Sequence, residues 1–231
     1  MPKLPLVLIA CKVFQDFIEH FLPDGMLKQT IFMEYGLHRV PRNLKPALQE
    51  QIDSIEEPSL ILLGYGLCGN GLDGIRSGKH TLLVPRVDDC IAVLLGSYQA
   101  YLKEFNSVPG TYYLSKGWLE SGSNPLQEYR EYVGKYGEER ASWLMDQQYH
   151  NYKRLVLVSH QQADLEKYRP QAQEVAGYCA RWGMYYQEIL GSDQYVRRLV
   201  EVAEDLDQVD QEFLVIPPGG ELKQRMFIRM R

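Results

Sequence analysis

The sequence predicts an α/β protein built on a mostly parallel sheet with flanking helices. Three observations predict it. Short, nearly continuous apolar runs recur, as at residues 4–10 and 60–63, which suits strands buried on both faces. Between them lie stretches with apolar residues at helical spacing, such as Leu44, Leu48, Ile52 and Ile55. The strand, loop, helix rhythm persists through all 231 residues without low-complexity sequence or a clear linker, so the chain reads as a single α/β domain, 1–231.

Residues 4–10 form the first strand, which ends at Cys11. Residues 13–21 follow as a helix with Phe14, Phe17, Ile18 and Phe21 on one side, and Pro23-Asp24-Gly25 breaks it. Residues 28–35 are a second strand, rich in β-branched and aromatic side chains, and Gly36-Leu37-His38-Arg39 is a loop. Residues 41–55 are a helix whose Pro41 suits a first turn. The third strand, 60–65, runs into Gly64-Tyr65-Gly66-Leu67-Cys68-Gly69-Asn70-Gly71, where four glycines let the backbone bend sharply or admit something close. Residues 72–76 are one helical turn and 81–85 a fourth strand. Residues 91–105 are a helix with Asp88 or Asp89 as its N-cap, and 112–114 a fifth strand after the Pro109-Gly110 turn. Residues 118–152 change the pattern: aromatic, charged and helical, they read as a helical insertion or lid over the sheet. The rhythm then resumes, with strands at 154–159, 184–189 and 213–216, helices at 168–183 and 194–203, and a basic, peripheral tail from Lys223. The whole is a Rossmann-like arrangement.

Apolar residues make up 45% and charged residues 24%, ordinary for a soluble globular protein that buries its core without disulfide staples. The net charge is −5 and no basic run occurs, which speaks against a nucleic-acid partner. No apolar run approaches the roughly 20 residues of a membrane-spanning helix. Leu8-Ile9-Ala10-Cys11 imitates a lipoprotein cleavage box, but the apolar stretch before it is short and carries one lysine, so a buried strand explains it better. The expected location is the cytoplasm, with the four cysteines as reduced thiols or metal ligands.

Cys11, Cys68 and Cys90 each stand just past a predicted strand. In open parallel sheets ligands bind outside the carboxyl ends of the strands, so three thiols carried by neighbouring strands can meet there. Three converging thiolates suit a [4Fe–4S] cluster with one open iron, or zinc with an open fourth position. Both chemistries compete with a plainer reading, that of separate buried free thiols. A metal-free cysteine nucleophile is another reading; Cys68 is its best candidate, with a helix N-terminus expected after its turn and His38 or His160 as base. Cys179, inside a helix, is expected to pack in the core. Arg86, Asn70, His38 and Asp89 are the further candidates for catalysis: Arg86 for a substrate anion, Asn70 for a ligand hydrogen bond, His38 at the same edge, and Asp89 beside the third cysteine. Gly66, Gly69 and Gly71 are candidates for close approach to a cofactor. The turn lacks the lysine of a phosphate-binding loop.

The Ile9-Ala10-Cys11 strand end resembles a motif of the DUF1638 family. So do the turn at 64–71, the segment from Pro85-Arg86 to Asp89-Cys90-Ile91 with Leu95-Gly96-Ser97, and Pro109-Gly110-Thr111-Tyr112-Tyr113. The resemblance runs from about residue 4 to 216. Where the family often has histidine before the third cysteine this chain has Asp89, and where glycine often follows the first it has Lys12. The first departure weakens the claim for a histidine ligand at that position. The resemblance implies an anaerobic setting beside corrinoid-dependent methyltransferases, hence one-carbon metabolism. The expectation is therefore a three-cysteine metalloenzyme, a lyase or transferase, acting on a small sulfur- or methyl-containing substrate. The alternative is a non-catalytic accessory protein that holds a corrinoid protein or a methyltransferase; a second is a metal-free cysteine hydrolase or transferase.

Overall fold

An apolar hexapeptide, Leu6–Cys11, opens the architecture as β1, and all six residues are buried, as in a strand covered on both faces. The computed structural model describes residues 4–23, 25–34, 37 and 41–229, apart from the side chains of 16, 17 and 41. In chain order, β1 is followed by α1 (Gln15–Phe21), β2 (Gln29–Met33), α2 (Pro41–Ser54), β3 (Leu60–Gly64), β4 (Thr81–Pro85), α3 (Ile91–Leu95) and α4 (Tyr98–Ser107). Next come β5 (Thr111–Leu114), α5 (Lys116–Glu120), α6 (Pro125–Tyr136), α7 (Glu138–Tyr149), β6 (Arg154–Ser159) and α8 (Gln162–Cys179). The chain closes with β7 (Tyr185–Leu190), α9 (Gln194–Glu204) and β8 (Phe213–Ile216). The expected α/β class is what forms. No helix among the described residues is long and apolar enough to cross a membrane.

The chain divides into two units, Met1–Tyr98 with Asp193–Arg231, and Gln99–Ser192. The first holds a five-stranded sheet in the order β2-β1-β3-β4-β8. β1 pairs in parallel with both β2 and β3, and β3 with β4, whereas β8 returns antiparallel to β4. Leu44, Leu48 and Ile52 of α2 are fully buried, as their spacing predicts. β1 and β3 approach so closely that a Cβ on Gly64 would lie 2.5 Å from the Cβ of Ala10, so only glycine closes that strand pair.

The second unit holds its own parallel sheet, β5-β6-β7. The expected helical insertion is α5, α6 and α7, the crossover between β5 and β6. Asn124 caps α6 by accepting from the Gln127 amide, with Pro125 in the first turn. Leu119, Met145 and Tyr149 from this segment share one core with Leu155 and Leu157 of β6 and Leu165 and Val175 of α8.

Several sequence expectations change, and residues 72–76, expected as one helical turn, form no helix. The helix expected over 91–105 is two helices, because Gly96 takes a left-handed φ of 89° and its amide bonds to Val93, ending α3. The tail expected to be peripheral is packed instead. Leu222 and Phe227 are buried, Arg86 donates from Nε to the Met226 carbonyl and from Nη2 to the Ile228 carbonyl, and Arg229 pairs with Glu212 at 2.5 Å. Arg86 thus binds carbonyls of the tail, while the tail's own Arg229 pairs with the Glu212 carboxylate and donates to the Arg86 carbonyl.

Candidate functional site

From β1 the chain moves to β2 on one side and later to β3 on the other. Such a reversal opens a crevice at the carboxyl ends of the two strands, where ligands of open α/β sheets bind. Cys11 is the last residue of β1, opposite Met33 of β2. Cys68 follows β3, and Cys90 follows β4 as the N-cap residue of α3. The three cysteines therefore come from three adjacent strands, two of which flank the crevice.

Local sequence brings the last two together. The Leu67 amide donates to the Val87 carbonyl and the Cys68 amide to the Asp88 carbonyl, both at 2.9 Å, so the loops after β3 and β4 stay paired beyond the strands. A Cβ on Gly66 would stand 2.8 Å from the Asp89 carbonyl carbon, so the missing side chain is what lets the loops touch. Asp89 Oδ1 accepts from the Ile91 amide at 2.9 Å and starts α3 directly after Cys90. At the turn itself Cys68, Gly69 and Asn70 are all left-handed, with φ of 48°, 64° and 70°. For a residue with a Cβ this conformation costs about 1–2 kcal/mol, less for asparagine. The turn is held by the Gly71 amide on the Cys68 carbonyl and the Asp73 amide on the Asn70 carbonyl. Gly71 packs against α2, where a Cβ would meet Leu44 Cδ2 at 2.6 Å.

The thiols sense one another. Burial pushes the Cys11 thiol up to about 11; the Val13 amide hydrogen bond opposes this, and Cys68 adds a smaller upward push. Cys90 is held well above an ordinary thiol, first by its hydrogen bond with Cys68, then by burial, then by Cys68, Asp89 and Cys11. Tyr65, on the middle strand's exit, is 2% exposed. Its phenol is pushed far up by burial and then by Cys11, Cys68 and Cys90, so it senses all three thiols. Among the described residues its hydroxyl has no hydrogen-bond partner. Sequence reasoning passed over Tyr65; the signal was an aromatic residue between Gly64 and Gly66 on the run into a cysteine.

The other candidates separate. Gly69 and Asn70 are exposed at the turn beside the partly exposed Cys68, whereas Gly66 and Gly71 are buried by their own chain. The Arg86 guanidinium is engaged by the tail carbonyls. His38 lies outside the described residues. His160 follows β6 in the second unit. No helix starts after Cys68, where 69–74 are turns, so the helix N-terminus expected to lower its pKa is not there. Cys179 is fully buried in the second core, as expected. Three sulfur donors suit iron–sulfur or zinc ligation. Among the described residues, no three His, Cys, Asp or Glu side chains stand where together they could hold a metal ion, and Cys11, Cys68 and Cys90 are among those residues.

A family model described as protein of unknown function (DUF1638) matches residues 32–200, a span that includes Cys68 and Cys90 but begins after Cys11. No curated protein and no solved structure matches the chain.

Proposed function

The chain belongs to the DUF1638 family, and from the thiols at its crevice we propose that it is a metalloenzyme that binds a thiophilic metal through Cys11, Cys68 and Cys90. The preferred group is a [4Fe–4S] cluster with one open iron, and zinc with an open fourth position is the alternative. Once bound, either supplies a Lewis-acid position for a substrate sulfur or oxygen. The substrate is a small sulfur- or methyl-containing compound, in keeping with a corrinoid-linked one-carbon setting.

One observation carries this reading: Cys11 ends, and Cys68 and Cys90 follow, three adjacent parallel strands, and hydrogen bonds tie the loop of Cys68 to the loop of Cys90. Unrelated core thiols need no such meeting, and Cys179 is the contrast within the same chain, its thiol raised by burial alone. A left-handed Cys68 points the same way, since strained backbone persists where a site needs it. The Val13 amide on Cys11 is the kind of N–H···S bond that tunes a metal-bound sulfur. Cys68, partly exposed beside Gly69 and Asn70, marks the open side. Metal binding would take the proton from each thiol.

The test is anaerobic purification followed by iron, sulfide and zinc analysis of the wild type and of Cys11→Ser, Cys68→Ser and Cys90→Ser, with Cys179→Ser as control. About four iron and four sulfide per chain, or about one zinc, is expected in the wild type and the control. Each of the three site variants should hold far less. Equal metal in all of them, or none in the wild type, removes the proposal.

A further inference from the structure

Cys68 and Cys90 form a pair within the three. The Leu67 amide donates to the Val87 carbonyl and the Cys68 amide to the Asp88 carbonyl, so the loop that carries one cysteine is bonded to the loop that carries the other. The two backbones touch at this level. A Cβ on Gly66 would stand 2.8 to 2.9 Å from three backbone atoms of Asp89, the residue before Cys90. On the other side of Cys90, the Ile91 amide donates to Asp89 Oδ1 at 2.9 Å. A disulfide joins residues whose α-carbons lie about 4–7 Å apart, so it forms where backbones already run side by side. The two side chains are themselves in hydrogen-bond contact. Both cysteines are free thiols that keep part of their surface open, whereas Cys11 and Cys179 are buried. Cys11 is also fixed within β1, opposite Met33, and Cys179 lies in the core of the second unit. Cys68 and Cys90 stand on turns outside the strands, which leaves them freer to adjust.

We propose that Cys68 and Cys90 are a redox modification site, which a hydroperoxide closes into a reversible disulfide in the metal-free chain. The inference goes beyond metal binding and does not rest on it, since the step needs only two thiols and an oxidant. Cys68 reacts first, because it stands on a turn beside the exposed Gly69 and Asn70. Its sulfur attacks one oxygen of the hydroperoxide. An S–O bond forms, the O–O bond breaks, and an alcohol or water leaves, which makes Cys68 a sulfenic acid. The Cys90 sulfur then attacks the Cys68 sulfur. The S–S bond forms, the S–O bond breaks, and water leaves with the Cys90 proton. Together the two sulfurs give up two electrons, and the O–O bond takes them. A dithiol reductant returns two electrons and two protons and restores both thiols. While it lasts, the disulfide withholds both sulfurs from any ligand of the crevice.

The experiment treats the reduced full chain, stripped of metal with a chelator, with hydrogen peroxide. Free thiols are then counted in denaturant, and unreduced peptides are mapped by mass spectrometry. The wild type is expected to fall from four free thiols per chain to two. Its map should join the peptide of Cys68 to that of Cys90 within one chain, and dithiothreitol should restore all four thiols. Cys11→Ser and Cys179→Ser should form the same link, and Cys68→Ser and Cys90→Ser should not. If a serine variant fails to fold, the wild-type map decides alone. Four thiols still free after treatment, a link from either cysteine to Cys11 or between chains, or a Cys68 carried on to the sulfinic acid without a link, overturns the inference. The outcome is separate from metal content. A linked pair stands even where the wild type holds no metal, and an unlinked pair leaves the three-thiol reading to its own test.

Discussion

Cys68 carries its cost in one torsion, a φ of 48° that a residue with a Cβ adopts at about 1–2 kcal/mol. Glycine removes that cost. In urea unfolding of the metal-free protein, Cys68→Gly should exceed Cys68→Ala in stability by about 1 kcal/mol, while neither binds metal. A thiol at Cys11 raised to about 11 is protonated at neutral pH, so metal uptake must displace its proton. Apparent metal affinity should then climb about tenfold per pH unit for each such proton, read by competition with a chelator between pH 6 and about 9. Cys179 gives a stability effect of the opposite kind. Its thiol moves from 9.0 to about 12 on folding, so the folded state holds the proton more tightly. That contribution is complete below about 9 and is lost as pH rises through about 12. Cys179→Ala should flatten the alkaline loss of stability in that window, seen in thermal unfolding. The three site cysteines were legible because each follows a predicted strand. Tyr65 was not, because its interest lies in a hydroxyl without a partner, and partners are set by the packed chain.

Pairing of the loops after β3 and β4 is what sets Cys68 beside Cys90. Gly66→Ala places a Cβ 2.8 Å from the Asp89 carbonyl carbon, and backbone cannot swing aside as a side chain can. The expected cost is about 1–3 kcal/mol in denaturant unfolding, together with a sharp fall in metal content although every cysteine is intact. The tail gives a second test. Arg86→Ala frees two carbonyls from their donor, and trypsin should then cut after Lys223 and Arg225 faster than in the wild type. Strands β4, β6 and β8 form at the residues their apolar runs predicted. Boundaries set by local chemistry were less visible where one residue decided them, as Gly96 does for α3. The buried tail was hidden for a different reason. Its anchor Arg86 lies far away in sequence, and a charged segment read locally resembles solvent-facing chain.

Two units with separate sheets should respond separately to a ligand that only one of them binds. A metal bound through Cys11, Cys68 and Cys90 stabilises the first unit by mass action. In hydrogen exchange its addition should slow amides of β1, β3 and β4, with those of β5, β6 and β7 nearly unchanged. Uniform slowing across both sheets would mean that they open as one. The division into two sheets was not legible in the sequence. An apolar strand states that it is buried, but not beside which strand, so β5 and β6 read like further members of the first sheet.

β8 pairs with β4, yet residues 86–212 separate them along the chain. While the protein is being synthesised, the outer edge of β4 must therefore wait for a partner that has not been made. At roughly 5–20 residues per second that interval is on the order of ten seconds. Throughout it the growing chain offers a bare strand edge, the template on which proteins stick to one another. The later unit is complete before β8 emerges, so a region encoded in the middle of the message can finish folding ahead of the one that began first. A pause in translation after residue 192 would prolong the exposure, and the yield of soluble protein would depend on the pace of the ribosome there.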